Sequence, residues 1–147
     1  MESERDDIKI LNCVFCDDVR TEQNGKEILI GVYTGDFGVP KLPWRVSSLS
    51  VWMQLELPPK PEKTNVAIRL LNTFGTRIAE LSFSATPVGR LGVLQRSPVG
   101  FAFQTGSFEI QKVGELLLEM RNSEGAWVKG RSLLVAVHPE TPQAADG

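Results

Sequence analysis

The chain has 147 residues, of which 41% are apolar and 23% charged, and its formal net charge is −2. That balance suits one folded domain with a real core and argues against wholesale disorder. The missing basic excess argues against a nucleic-acid surface, and no apolar run approaches the roughly 20 residues needed to cross a bilayer.

Residues 1–7 are charged and lack the apolar stretch of a signal peptide, so a flexible N-terminus and a cytoplasmic location are expected. Residues 14–19 and 27–33 then flank Asn24-Gly25, the strongest short hairpin signal. A two-residue turn there predicts Val19 opposite Ile30, Thr21 opposite Ile28 and Asp17 opposite Val32. Ile28, Ile30 and Val32 are therefore expected on the core face, with Phe15 and Cys13. The two cysteines, Cys13 and Cys16, are spaced as C-x-x-C. On a strand, residues three apart point to opposite faces, roughly 10 Å apart, which no disulfide spans. A zinc site would need two more ligands, and the chain has a single histidine, His138. Both cysteines are expected to be packing residues.

Asp17 and Asp18 are adjacent, so period two turns one of them inward, and this register makes it Asp17. A buried carboxylate must find donors, turn outward at a bulge, or share a cation with loop acids such as Asp36. The spacing lacks the D-x-D pattern of calcium loops, which favours a structural role. Residues 35–45 read as a loop carrying Pro40, Pro43 and Trp44. From Leu49 to Leu57 every odd residue is apolar, a strand with one face on a core, with Trp52 on the other face. Pro58-Pro59-Lys60-Pro61 ends it.

Residues 65–71 and 78–84 form a second hairpin around Phe74-Gly75. Its predicted pairs are Arg69 with Glu80, Ile68 with Leu81, and Val66 with Phe83, so charge meets charge and core meets core. Residues 85–100 read as a long connection. Within it, Gly89-Arg90-Leu91-Gly92 could bend around a phosphate with Arg90 as counter-charge, although such glycine turns are usually just turns. Phe101 with Phe103 and Phe108 with Ile110 alternate again. Leu116, Leu118 and Met120 face inward, a turn follows at residues 122–125, and Trp127 leads into the last strand through Leu133, Val135 and Val137. Residues 139–147 read as a disordered tail, leaving residues 8–138 as one domain.

Eight or nine short strands with regular turn signals predict an all-β fold, a two-sheet antiparallel β-sandwich of immunoglobulin-like or C2-like kind, with a barrel as competitor. No Walker, Rossmann or G-x-S-x-G pattern is present, His138 directly precedes Pro139 at a strand end, and no cofactor is implied. An enzyme would have to work with carboxylates and arginine alone. Trp52 on the non-core face of its strand, Trp44 in the Pro-rich loop and Trp127 after a tight turn are large aromatics of the type that anchors interfaces. Leu71, Ile78 and Leu117 also fall on outer faces, which favours a homo-oligomer.

The segment Phe15-Cys-Asp-Asp-Val-Arg20, followed by Asn24-Gly25-Lys26 and Ile30-Gly-Val-Tyr33, resembles the opening of a family of small bacterial proteins of unknown function. The resemblance implies a bacterial, cytoplasmic, β-rich protein and names no ligand. The expectation is a non-enzymatic module that binds another protein or itself, with Asp17, Asp18, Arg20, Asp36, Trp44, Trp52, Arg90 and Trp127 as candidate binding residues. The alternative is a small-ligand or metal-ion site at loop ends near Asp17, Asp18 and Asp36.

Overall fold

Val51, Met53, Leu55 and Leu57 are fully buried, and the residues between them are only partly so. The alternation read from the sequence therefore marks a strand with its apolar side on the core, and the rest of the molecule is built the same way. The computed structural model describes residues 8–57, 63–85, 97–122 and 125–139. Among them are eleven strands and no helix, hence no helix long and apolar enough to cross a membrane.

Four strands form one sheet in the order β2 (Glu27–Val32), β1 (Lys9–Thr21), β5 (Ser50–Leu57), β8 (Ser97–Gln104). Five form a second in the order β3 (Phe37–Val39), β11 (Val128–Val137), β10 (Gly114–Asn122), β6 (Thr64–Leu71), β7 (Arg77–Ala85). The short β4 (Trp44–Val46) and β9 (Phe108–Ile110) pair with each other. Cys13, Phe15, Val51, Met53 and Leu55 of the first sheet share a single core with Ile68, Leu70, Leu116, Leu118 and Val135 of the second. Removing water from that common interior is the main force holding the sheets together.

Four expectations are corrected. The strands number eleven rather than eight or nine, because the presumed loop at residues 35–45 contains β3 and β4. The pairing is not wholly antiparallel, since β3 runs parallel to β11, with Val135 opposite Phe37 and Val137 opposite Val39. Hairpin signals are local, whereas a parallel pair needs a crossover, and here that crossover is most of the chain. Residues 97–100, taken as part of a connection, belong to β8, where Pro98 is tolerated because β8 is an edge strand.

The fourth correction concerns the first hairpin. Glu22 N–H donates to Lys26 O at 2.7 Å, Gly25 N–H donates to Glu22 O at 3.0 Å, and Gly25 has φ 84°. This is a three-residue loop ending in a left-handed glycine, not a two-residue turn. The extra residue slips the register by one, so Val19 faces Leu29, Arg20 faces Ile28, Asp18 faces Ile30 and Cys16 faces Val32. A one-residue slip sends every side chain to the other side. Ile28, Ile30 and Val32 are accordingly 45%, 41% and 44% exposed instead of lying in the core. The second hairpin keeps its predicted register throughout Val66–Phe83, Ile68–Leu81 and Arg69–Glu80.

The outer apolar residues of the five-stranded sheet partly cover one another. Leu71 and Leu117 are direct register partners, both half-buried, whereas Ile78, expected on an outer face, packs against the core. The expected tail beyond Pro139, the N-terminal residues 1–7, the segment 58–62 and the connection 86–96 lie outside the described residues.

Candidate functional site

The β1–β2 hairpin carries most of the polar candidates, and the register slip decides what each one does. Asp17 is exposed, not turned into the core. Its carboxylate accepts a hydrogen bond from the Tyr33 hydroxyl at 2.7 Å, and its carbonyl accepts one from the Ser50 hydroxyl at 3.2 Å. Gly31, in the middle of β2, has φ 68°, and a β-carbon built there would collide with the Asp17 carboxylate. Only glycine combines that backbone with that approach. Partial burial, then the hydrogen bond and charge of Asp17, push the Tyr33 hydroxyl well above its ordinary pKa.

Asp18 accepts the backbone N–H of Val19 at 2.9 Å and pairs with Arg20 at 3.2 Å on an open surface, where such a pair contributes little. Asp36 pairs instead with His138 Nε2 at 3.1 Å, and the His138 ring lies over Gly38. The three acids are thus engaged separately. Among the described residues no group of three or more His, Cys, Asp or Glu is placed to hold a metal ion.

Cys13 and Cys16 are buried and free, at positions of β1 that face Met53 and Ser50. Burial pushes the Cys13 thiol up to about 11, with Arg131 opposing slightly. Burial, then the Asp17 carboxylate, raises Cys16 as well. Both stay protonated at neutral pH, which is the chemistry of packing thiols rather than nucleophiles.

The three tryptophans have three different surroundings. Trp44 sits in β4 opposite Ile110 and packs half-buried against the core. Trp52 points away from the core, with Val14 and Ala102 beside it in register. It lines an open cleft of about 560 Å³ together with Gly25, Glu27 and Leu29 from the first hairpin and Gly100 from β8. β2 and β8 are opposite edges of one sheet, and residues of both line this cleft. Trp127 lies just before β11, its ring 4.1 Å from the Arg69 guanidinium carbon and 4.6 Å from that of Arg121. Arg69 is also paired with Glu119 at 2.7 Å. Arg90 lies outside the described residues.

The model of a family of unknown function, DUF6941, matches residues 11–135. The chain belongs to that family. The match begins inside β1 and ends inside β11, so all of the two large sheets of this DUF6941 member but the outer ends of those two strands falls within it. No curated protein matches the sequence.

Sequence reasoning missed Tyr33, Arg69 and Arg121 as parts of these arrangements. One signal was available for Arg121: it and Trp127 flank the turn at residues 122–125, which folds them back toward each other. Arg69 had no such local cue, because it reaches Trp127 only through the β6–β10 pairing.

Proposed function

We propose that this DUF6941 protein is a non-enzymatic binding module that assembles with a second copy of itself through the outer side of the β1–β2 hairpin. The observation that carries this reading is the row Ile28, Ile30 and Val32, each more than 40% exposed, on an edge strand of the four-stranded sheet. Natural edge strands are normally blunted with charge, and three aliphatics in a row on one are an unmet hydrophobic surface. A two-fold contact sets the same row against itself, so one patch serves both subunits. Burying the exposed part of each side chain contributes roughly 1 kcal/mol. The Asp18–Arg20 pair lies alongside as a polar rim.

The proposal takes the two large sheets as layers of a β-sandwich of immunoglobulin-like or C2-like kind, supported by the core they share. A cytoplasmic location belongs to it too and rests on the resemblance of the opening segment. The alternative, a small-ligand or metal-ion site near Asp17, Asp18 and Asp36, draws its support from the closeness of these acids in the sequence. A thermal-shift screen with calcium tests that alternative separately.

Light scattering over a wide concentration range tests self-assembly. The expected result is a concentration-dependent dimer that Ile30→Lys converts to monomer with an unchanged circular-dichroism spectrum. A wild-type protein that stays monomeric throughout overturns the reading.

A further inference from the structure

The outer face of the five-stranded sheet holds a second feature, independent of the hairpin. Ser82 of β7, Ala67 of β6 and Arg121 of β10 lie in one cross-strand row. The neighbouring row contributes Asn65 and Ser84, which are direct partners. These residues line an open cleft of about 260 Å³. Ala67, the smallest side chain of the row, leaves the gap between Ser82 and Arg121.

The polar groups around this gap are donors. The Ser84 hydroxyl donates to the Asn65 side-chain oxygen, which leaves the Asn65 amide NH2 as that residue's outward group. Ser82 offers a hydroxyl, and no carboxylate lines the cleft. The Arg121 guanidinium carbon lies 4.6 Å from the centre of the Trp127 ring, and its Nε is buried without a hydrogen-bond acceptor. A buried donor left unmet costs about 1–3 kcal/mol, more when charged, so a native structure seldom leaves one without a purpose. Arg69, stacked with the same ring, shows the contrast. Its guanidinium meets Glu119, whereas no carboxylate within the described residues pairs with Arg121. Among the described residues, the stack thus holds one arginine paired with a carboxylate and one that is not.

We propose that this cleft is a binding site for an oxyanion, a phosphate or carboxylate group, held by the Arg121 fork with Ser82 and the Asn65 amide. A planar guanidinium offers two parallel N–H bonds to such a group, and neutral hydroxyl and amide donors complete the shell without repelling it. A cation finds no negative partner there. The site lies on a different sheet from the hairpin surface and does not depend on self-assembly.

Titration of the full chain with inorganic phosphate and, separately, sodium acetate, at constant ionic strength, tests this by the NMR shift of the Arg121 Nε–H. The expected result is a saturable shift with at least one of the two, and the tighter one identifies the phosphate or carboxylate source. Arg121→Gln abolishes binding when followed through the Trp127 indole N–H, and Ser82→Ala, which leaves the stack intact, weakens it about tenfold. Arg69→Gln leaves it within about threefold. Absence of a saturable shift with either ion, or equal indole shifts in Arg121→Gln and wild type, overturns the proposal.

Discussion

Two of the hairpins, β1–β2 and β6–β7, are closed by the same turn, and they bury opposite sides. In β1–β2, Glu22 and Lys26 are joined through Glu22 N–H, and Gly25 closes back on Glu22 with φ 84°. In β6–β7, Asn72 and Thr76 are joined through Asn72 N–H, and Gly75 closes back on Asn72 with φ 90°. The difference comes after the turn. The β6–β7 ladder shifts register by a bulge between Leu70 and Leu71, and from there Ile68 faces Leu81 and Val66 faces Phe83. The β1–β2 ladder keeps the register that its turn dictates, so its aliphatics face Cys16, Asp18 and Arg20. One extra residue in a bulge decides whether a strand feeds the core or the surface.

The largest effect that sharpens this contrast is in side-chain truncation. Ile68→Ala is expected to cost about 2–5 kcal/mol in urea unfolding because it opens a cavity in a fully buried site, whereas Ile30→Ala, at low protein concentration, stays within about 0.5 kcal/mol. Equal costs would mean that the two hairpins are not buried differently. Next comes Gly31→Ala, expected to cost about 2–3 kcal/mol by the same measurement, because the new β-carbon meets the Asp17 carboxylate and the backbone is left-handed. The smallest effect is shared. Gly25→Ala and Gly75→Ala, both left-handed with open space around the added carbon, should each cost about 1 kcal/mol and agree with one another. A large difference between the two would break the claim that the turns are alike.

What the sequence discloses follows from the range of each interaction. Strand β5 was legible because Val51, Met53, Leu55 and Leu57 all obey one period, and that period needs only neighbours along the chain. Leu116, Leu118 and Met120 were legible for the same reason and are buried. The second hairpin was legible because three pairings agreed in chemistry. Its register came out right even though its loop is longer than a two-residue turn, because the Leu70–Leu71 bulge restores the lost step. The first hairpin has no such compensation, and Asn24-Gly25 alone does not say which loop it will make. β3 left no trace, since its partner β11 is far along the chain and three residues carry no period. Of the candidate binding residues, Trp52 was placed correctly on the outer face. The use of Trp127 depends on Arg69 and Arg121, which meet it only after β6, β10 and the following turn are in place.

The parallel pairing of β3 with β11 bears on how the chain is made. β11 sits between β3 and β10, so five strands cannot become one sheet until residues 128–137 have left the ribosome. Until then a nascent chain carries β10 with a bare edge and Phe37 and Val39 without their partner. Contacts so far apart are slow to form, and unpaired edges are where chains stick to one another. Emergence of β11 thus ends the exposure of these two edges, which makes the interval before it the point at which a chaperone would matter most for this sheet.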